Sequence, residues 1–482
     1  MGSLVNPVSW VDVTSDHPVL VVEGNPFLYL GSQLSPHRLL HFGWEWADME
    51  RLFQLAAKNH VTVLAVPLLW NWVEETRGQY DWNVLDTFLT WANRYGVRVE
   101  ILWFGSNVCG KSLPPEGTPQ WALDNFTKIK GPDGTLYSAD DFCYASYRPT
   151  RFYKLDVCDA NLLAAEACAL RATFDHIGAW QADTGGSAVV IGAQILNEPT
   201  CVKLFDSTGI NFPTLDRSYS DCANQRYAAG GYTASATFNR DMFWNYLNTL
   251  CTAVKQSAHP VWTRVNLNKN YEGADFVQSL IEKNEAMRVQ NATNLDFIGD
   301  DPYADDPEAM FCFGKGMFAT GKNLPMIMEN DAAYPDTVRL IFNAMAGGSA
   351  YNAWELISSG DPAWQTGFYT VDHSEKRLIP KAHQQDVSSF FAMLRQAPEA
   401  LAQLRADGGQ IAYLNRAFLP NASENTIVGS IPLAYHATGA GGGIALVYRE
   451  QLVLMSTQSA TFRIQDSVEV AIPAFGCVKL SR

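Results

Sequence analysis

The stretch AVVIGAQILNEPT, from Ala188 to Thr200, begins with nine almost wholly apolar residues and ends with Asn197, Glu198, Pro199 and a threonine. Short apolar runs of this kind are typical of strands that are buried on both faces of a parallel sheet. A buried carboxylate is costly unless it is paired or used, and a proline ends the pairing of a strand. The stretch therefore predicts a buried strand that presents an amide and a carboxylate at its carboxyl end.

Seven further apolar runs have the same character, and longer amphipathic segments lie between them. These segments, such as WADMERLFQLAAKN and DWNVLDTFLTWANRYG, repeat apolar residues at the three- and four-residue spacing of helices. Eight strands that alternate with helices predict an α/β fold, the closed (β/α)8 TIM barrel. An open doubly wound sheet lacks support, because no glycine-rich nucleotide motif follows the first strand. The predicted strands are 26–33, 61–70, 97–106, the stretch above, 260–268, 295–303, 325–331 and 349–357.

The residue pattern changes after residue 404, where short runs typical of β-strands, such as GGIALVYREQLVLMS, alternate with polar or glycine-rich turns. This pattern predicts an antiparallel, sandwich-like β domain behind the barrel. We therefore expect four parts along the chain. They are an N-terminal β segment leading into the barrel (1–25), the catalytic barrel (26–385), a linking helix (386–404) and the C-terminal β domain (405–482).

Composition excludes some classes of partner. Of the 482 residues, 47% are apolar and 18% are charged, and the net charge is −15. That charge argues against binding to nucleic acid or to an anionic membrane surface. The sequence contains no run of eighteen apolar residues, so we expect no membrane span. The start, MGSLVNPVSWVDV, has no basic region and no apolar segment, so we expect no signal peptide. The chain as given would then be cytoplasmic, or secreted if a leader was removed.

Two predicted strands end in glutamate, and in a (β/α)8 barrel the chemistry lies at the carboxyl ends of the strands. Strand four ends in Asn197 and Glu198, and strand seven ends in LPMIMEND, which contains Glu329. Strands four and seven lie on opposing sides of a barrel mouth. Glycoside hydrolysis needs such a pair, one carboxyl protonated and the other ionised. Taken alone, either glutamate would more often be a loop residue or part of a salt bridge.

The sequence resembles a known group of enzymes. VVIGAQILNEP and PMIMEN resemble the catalytic strands of the clan A retaining glycoside hydrolases. NPFLYLGSQ, HVTVLAVPLLWNWVEETRGQYDW and GVRVEILWFGSNVCGKSLPPEGTPQWAL resemble the family 35 β-galactosidases and, more distantly, family 42. The resemblance covers about residues 20 to 385. It implies that Glu198 is the acid/base and Glu329 the nucleophile. It further implies that Asn197 binds the sugar 2-hydroxyl, Tyr303 orients the nucleophile and Trp354 lies under the sugar.

One position departs from the family pattern and several others carry weaker signals. Many family 35 members have a second glutamate where this chain has Asn197, which leaves the preference for galactose open. Polar residues that end other strands are candidate hydroxyl binders, although polar strand ends are common in any barrel. Trp70 either shapes the sugar pocket or packs its loop on the barrel. The additional candidate substrate-binding residues are Gln33, Asn107, Trp70 and Asn266.

We expect no metal and no cofactor. His37 and His41 have helical spacing, but the third ligand and the catalytic glutamate of a zinc site are missing. Nine cysteines are an odd number, so at least one thiol is unpaired or pairs between chains. Cys109 lies in a loop-like stretch and is one candidate for a disulfide if the protein is exported.

The sequence thus predicts a retaining exo-β-glycosidase, β-galactosidase-like, that hydrolyses terminal β-linked sugars by double displacement. A β-glycosidase or transglycosidase for another sugar (a glucoside, mannoside or glucosaminide) stays open. So does a barrel that binds carbohydrate without catalysis, although the presence of both glutamates argues against it. The expected partner is an oligosaccharide or glycoside, and a homo-oligomer stays open.

Overall fold

The computed structural model describes residues 6–14, 17–142, 149–201, 215–267, 288–317, 323–360, 365–465 and 468–481. Its strands up to the end of the barrel are β1 (Ser9–Asp12), β2 (Val19–Val22), β3 (Asn25–Pro26), β4 (Leu30–Gln33), β5 (Val63–Leu69), β6 (Arg98–Val108), β7 (Ser138–Phe142), β8 (Pro149–Tyr153), β9 (Val190–Asn197), β10 (Trp262–Asn266), β11 (Phe297–Gly299), β12 (Met326–Asp331) and β13 (Ala350–Trp354). The later strands are β14 (Tyr369–Asp372), β15 (Arg377–Pro380), β16 (Ile411–Leu414), β17 (Ser423–Val428), β18 (Ile431–Ala437), β19 (Gly443–Tyr448), β20 (Gln451–Ser456), β21 (Ala460–Ile464), β22 (Val468–Ile472) and β23 (Gly476–Ser481).

Helices follow most of the barrel strands. They are α1 (Pro36–His41), α2 (Trp46–Lys58), α3 (Trp70–Val73), α4 (Asn83–Tyr95), α5 (Gln120–Asn125), α6 (Ala160–Thr184), α7 (Asp221–Ala229), α8 (Ser235–Lys255), α9 (Pro307–Met317), α10 (Thr337–Ala346), α11 (Gln384–Leu394) and α12 (Pro398–Gln403). Local sequence explains several of their ends. The Asp159 side chain accepts a hydrogen bond from the Asn161 N–H at the start of α6. Gly96 takes the left-handed conformation, with φ +66°, that ends α4.

Eight strands form one sheet in the order β11-β10-β9-β6-β5-β4-β13-β12. The registered pairs among them are parallel, for example Arg264 beside Phe297 and Tyr351 beside Leu30. The sheet is a nearly closed barrel, and each of the eight predicted apolar runs overlaps one of its strands, with β6 extending two residues beyond its run. The prediction of a TIM barrel with a C-terminal β domain is therefore confirmed. All seven residues of β5 are buried, as expected of a strand covered on both faces.

The chain divides into two compact units. The first contains Met1–Val11, Leu34–Phe53 and Leu64–Asp301, and the second contains Asp12–Gln33, Gln54–Val63 and Pro302–Arg482. In the first unit, the fully buried Arg264 guanidinium donates two hydrogen bonds of 2.6 Å to Glu100. Trp262 donates a third bond, of 3.2 Å, to the same carboxylate. Several donors on one buried carboxylate satisfy a charge that would otherwise be costly.

The C-terminal part of the second unit consists of two antiparallel sheets, β16-β19-β20-β23 and β17-β18-β21-β22. Side chains from both sheets share one apolar core that includes Val428, Tyr435, Leu454 and Phe462. Strand β18 alternates buried and exposed or half-buried residues, as a sheet with one solvated face requires. The segment 386–404, predicted as one linking helix, contains most of α11 and all of α12. Among the described residues, no helix combines the length and the apolar character that crossing a membrane demands.

Candidate active site

Glu329 lies near the carboxyl end of β12 and is 5% exposed. One of its carboxylate oxygens, Oε1, accepts a 2.9 Å hydrogen bond from the Gln33 amide. The other, Oε2, accepts a hydrogen bond from the Tyr303 hydroxyl. The carboxylate is therefore held in one orientation by a donor on each oxygen. Donors of this kind stabilise the ionised form of a carboxyl group.

A β-bulge occurs where Glu329 leaves the sheet. Ile327 pairs with Tyr351, but Asn330 pairs with Ala353, so β12 has one more residue than β13 between these pairs. Bulges re-aim side chains and are over-represented next to active sites. The amide of the fully buried Asn330 accepts a 2.8 Å hydrogen bond from Ala304 N–H and donates one to Ala304 O. This contact fixes the loop that carries Tyr303.

Trp354 ends β13, and its peptide bond to Glu355 is cis. The indole meets the Tyr303 ring edge to face, with centroids 5.6 Å apart and planes at 88°. Tyr303 therefore contacts both Glu329 and Trp354. The second unit brings together four of the residues predicted from sequence: Gln33, Tyr303, Glu329 and Trp354.

The end of β9, in the first unit, is organised by Asn266. The Asn266 Oδ1 atom accepts hydrogen bonds of 3.0 Å from both the Glu198 N–H and the Gln194 amide. Its Nδ2 atom donates to Asn197 Oδ1 at 3.0 Å and to Asp301 Oδ2 at 2.7 Å. Asn266 was predicted as a sugar-hydroxyl binder, and the structure shows its amide engaged with the β9 end. Asn197, Glu198 and Asn266 thus form one connected group.

The backbone around Glu198 departs from regular strand geometry. Leu196 and Glu198 have φ values of +66° and +42°, which residues other than glycine seldom adopt. In a regular strand, consecutive side chains point to opposite faces. The left-handed residues on either side of Asn197 break that alternation at the strand end. Such conformations persist only when the surrounding structure holds them, and they cluster at functional sites.

Cys109, just beyond β6, contacts both residues of the Asn197–Glu198 pair. Its S–H group donates a hydrogen bond to Glu198 Oε2, with the sulfur 3.0 Å from that oxygen. Asn197 Nδ2 donates to the same sulfur at 3.4 Å. Its backbone N–H donates to Asn197 O at 2.8 Å. Cys109 is a free thiol and is 7% exposed. This contact was not predicted from the sequence, although the position of Cys109 after strand three was a signal for it.

The loop that follows Glu198 is anchored at Thr200. The Asn107 amide donates to Thr200 O at 2.7 Å and accepts from Thr200 N–H at 3.3 Å. Asn107, predicted as a hydroxyl binder, thus binds a backbone segment with both polar atoms. Lys154 donates to Thr200 O at 2.7 Å and to Thr200 Oγ1 at 2.5 Å. Burial lowers the pKa of this fully buried lysine to about 7.

Asp300 is a further carboxyl group near Glu198, and it was not predicted from the sequence. The side chain is 3% exposed and accepts a hydrogen bond of 2.9 Å from Asp301 N–H. Burial raises the pKa of Asp300 to about 8, and the Glu198 carboxylate contributes to the increase. The signal was present in the sequence as the pair of aspartates in IGDDPY, at the end of predicted strand six.

Trp70 is fully buried at the start of α3. Its indole N–H donates a 2.9 Å hydrogen bond to Glu74, and its ring packs edge to face on Trp121 with centroids 5.5 Å apart. These contacts match the packing alternative for Trp70.

Within the described residues, no group of three or more histidine, cysteine, aspartate or glutamate side chains is arranged to hold a metal ion. His37 is buried against Phe104, and burial lowers its pKa to about 3. The eight cysteines in the described part of the chain are all free thiols, and Cys143 lies outside it.

Comparisons with known proteins support the fold. A family model described as a domain of unknown function, DUF4978, matches residues 242–402. A search of curated proteins found no match. A polyextremophilic β-galactosidase from the Antarctic haloarchaeon Halorubrum lacusprofundi is similar in structure, with 15% sequence identity and a TM-score of 0.52. A β-galactosidase from the psychrophilic Marinomonas ef1 is also similar, with 12% identity and a TM-score of 0.51.

These two likenesses cover most of this chain but not most of the relatives. They cover 76% of the chain and 58% of the haloarchaeal enzyme, and 82% of the chain and 62% of the Marinomonas enzyme. The chain thus spans about three fifths of the length of the two β-galactosidases. At these identities the likeness is one of fold.

Proposed function

We propose that this protein is a retaining exo-acting β-glycosidase of the β-galactosidase type. In this proposal Glu329 is the nucleophile and Glu198 is the acid/base, and no cofactor takes part. The observation that carries the proposal is the environment of Glu329. It is a buried carboxylate at the carboxyl end of a barrel strand, with Gln33 on one oxygen and Tyr303 on the other. A carboxylate fixed in this way is suited to attack an anomeric carbon.

The reaction proceeds in two displacements. Ionised Glu329 attacks the anomeric carbon while protonated Glu198 delivers its proton to the leaving oxygen. A covalent glycosyl-enzyme forms and the aglycone departs. Glu198, now ionised, takes a proton from water, which attacks the same carbon and releases the sugar with its original configuration. This route requires the two carboxyl groups to be about 5–5.5 Å apart.

The neighbouring residues have supporting roles in the proposal. Tyr303 orients the nucleophile through its hydroxyl, which donates to Glu329. Trp354 supplies an aromatic face for the apolar side of the sugar ring. Asn197 binds the sugar 2-hydroxyl through its amide, whose present contact with Cys109 is long, at 3.4 Å. A weak contact of this kind is one that a sugar hydroxyl can replace at low cost.

Galactose is the proposed sugar, and the two β-galactosidases of similar fold are consistent with it. The test is a panel of chromogenic β-galactosides, glucosides, mannosides and glucosaminides. The anomer released first is followed by NMR, with added alcohol acceptors to detect transglycosylation. We expect turnover of the galactoside with retained configuration. Preferred turnover of another sugar would reassign the substrate but not the mechanism.

A 2-fluoro glycoside of the preferred sugar tests the assignment of Glu329. Fluorine destabilises the oxocarbenium-like states on both sides of the intermediate, so the covalent adduct accumulates. Peptide mapping should find the label within NLPMIMENDAAY, on Glu329, and the exposed control variant Glu308→Gln should be labelled equally. An inverted product, or a label elsewhere, would reject the mechanism. Saturable sugar binding without turnover of any substrate would identify a carbohydrate-binding barrel instead.

A further inference from the structure

The contact between Cys109 and Glu198 goes beyond the assignment of two catalytic carboxyls. The thiol lies 3.0 Å from Glu198 Oε2, and the Cys109 backbone N–H donates to Asn197 O at 2.8 Å. Cys109 itself has a φ of +48°, in the left-handed region that cysteine seldom adopts. It follows the irregular part of β6, where the register with β9 shifts between Trp103 and Val108. The chain thus departs from regular strand geometry at the residue that meets the carboxyl.

We propose that Cys109 is a positioning residue for Glu198, whose S–H group donates to Oε2 and so fixes the rotamer of the acid/base. The proposal rests on the function proposed above. In it, the thiol touches no substrate atom and forms no covalent bond. It acts through Glu198, because a hydrogen bond to one oxygen leaves the other directed to the leaving group.

The surroundings keep this thiol protonated. Burial, followed by the Glu198 carboxylate, raises the pKa of Cys109 well above its usual range. Among the other charged groups near the sulfur, Glu116 acts in the same direction and Lys111 acts against it. Asp300, whose pKa is raised by burial and by Glu198, is another carboxyl group near Glu198. Because the nucleophilic form of cysteine is the thiolate, Cys109 is a neutral donor rather than a second nucleophile.

The donor should leave a signature in the pH profile of kcat/KM. A hydrogen bond to the ionised form of a carboxyl favours that form. The first displacement needs Glu198 protonated, so its ionisation produces the alkaline limb of the profile. Removal of the donor in Cys109→Ala should move this limb to higher pH, by about half a unit to one unit. Cys109→Ser, with the stronger O–H donor, should move it to lower pH than in the unaltered protein.

The kinetic experiment measures kcat/KM against pH for the unaltered protein, both Cys109 variants and the control Cys251→Ala. Cys251 is a fully buried thiol in α8, in the same unit, so its loss reports what removing any buried sulfur does. The alkaline limbs should follow the order serine, cysteine, alanine, with Cys251→Ala at the position of the unaltered protein. A role in packing alone would lower rates in both Cys109 variants without this order, and that result would overturn the proposal.

A second measurement needs no turnover and separates this inference from the proposed function. The S–H stretching band of Cys109, assigned by its loss in Cys109→Ala, is followed by infrared spectroscopy as the pH changes. It should shift as the Glu198 carboxyl titrates and stay fixed in Glu198→Gln. A band that is insensitive to Glu198 would overturn the inference even in an active enzyme. A sensitive band in a protein that hydrolyses no glycoside would support the contact and reject the catalytic role.

Discussion

Asn266 shows at the scale of one residue how an amide organises the end of a barrel strand. Its oxygen accepts from Glu198 N–H and Gln194, and its nitrogen donates to Asn197 and Asp301. An aspartate would lack the donor and a leucine would lack both functions. The polar end of strand five was recognised in the sequence, but its partners were not. They lie on other strands, and the spacing of residues along one strand carries no information about them.

Glu198→Gln should separate the two displacements. The variant cannot donate a proton, so substrates with poor leaving groups should lose most of their turnover. Substrates with good leaving groups need no proton and should still form the glycosyl-enzyme, which then persists because no general base activates water. Added azide should restore turnover, since a small anion attacks without a base. Rates are measured by absorbance for a series of aryl glycosides with and without azide.

Glu308→Gln, at an exposed helical position, is the matched control for this series. Its rates should equal those of the unaltered protein for every leaving group, with and without azide. The assignment of Glu198 fails if the folded Glu198→Gln variant hydrolyses poor leaving groups at the normal rate. It fails equally if azide has no effect on a variant that has accumulated the intermediate.

Asp300 should make the free energy of unfolding depend on pH. Its folded pKa of about 8 lies above the pKa of 3.8 of an unperturbed aspartate. A carboxyl whose pKa is raised on folding stabilises the folded state relative to the unfolded state only while it is protonated. That contribution is complete below about pH 4 and is lost as the pH rises through about 8. Asp300→Asn keeps an acceptor for Asp301 N–H but does not ionise.

The variant Asp300→Asn should therefore gain stability relative to the unaltered protein as the pH rises from about 4 to about 8. Urea unfolding of both proteins at several pH values gives the difference directly. Asp305→Asn, at an exposed aspartate in the loop after β11, is the control for the loss of one carboxylate. A difference that stays constant across this range would show that Asp300 is ionised throughout.

At the scale of the element, the strands were predicted from their apolar runs, but their ends contain extra residues that break the regular pairing. Between the pairs Trp103–Ile195 and Val108–Asn197, β6 has three more residues than β9. Apolar periodicity predicts a strand because it reflects burial on both faces. It does not predict a bulge, because the extra residues are held by contacts with other elements. This is why Glu198 and Glu329 were found as strand-end residues while Cys109 was missed.

Gly105 lies in this irregular stretch, where a buried carboxylate leaves no room for a side chain. A Cβ atom at Gly105 would lie 1.8 Å from Glu166 Oε1 and 2.7 Å from Trp103 Nε1. Glu166 is fully buried and accepts hydrogen bonds from Trp103, Ser106 and Tyr246. Gly105→Ala should displace this network and lower the free energy of unfolding by about 2 kcal/mol, as overpacking typically does. Chemical denaturation followed by tryptophan fluorescence measures the change.

Gly408→Ala is the matched control, because no atom lies within 4 Å of the added Cβ at Gly408. Its free energy of unfolding should stay within about 0.5 kcal/mol of the unaltered value. An equal effect of the two substitutions would show that Glu166 can move aside at little cost.

At the scale of the whole molecule, the barrel was predictable because its signal is repeated. Each strand of a parallel barrel is covered on both faces, so eight separate apolar runs carry the same information. The β domain was predictable from alternation, as in β18, where buried residues alternate with exposed or half-buried ones. The boundaries 1–25, 26–385, 386–404 and 405–482 stay predictions. The roles of the two glutamates also depend on the resemblance, because periodicity identifies a strand end but not its chemistry.

The thiols provide a test of the fold, and the four buried ones report on the first unit. Cys168 and Cys312 are exposed, so in a Cys143→Ala background these two should react with a thiol reagent within minutes under native conditions. Burial raises the pKa of Cys201 and Cys251 to about 12, which reduces the thiolate fraction as well as the access. These thiols should become reactive only at the denaturant concentration at which the fold is lost. Mass spectrometry assigns each label. The buried thiols, which should be protected in the folded protein, are Cys109, Cys158, Cys201 and Cys251. Labelling of any of them before the fold is lost would contradict their burial.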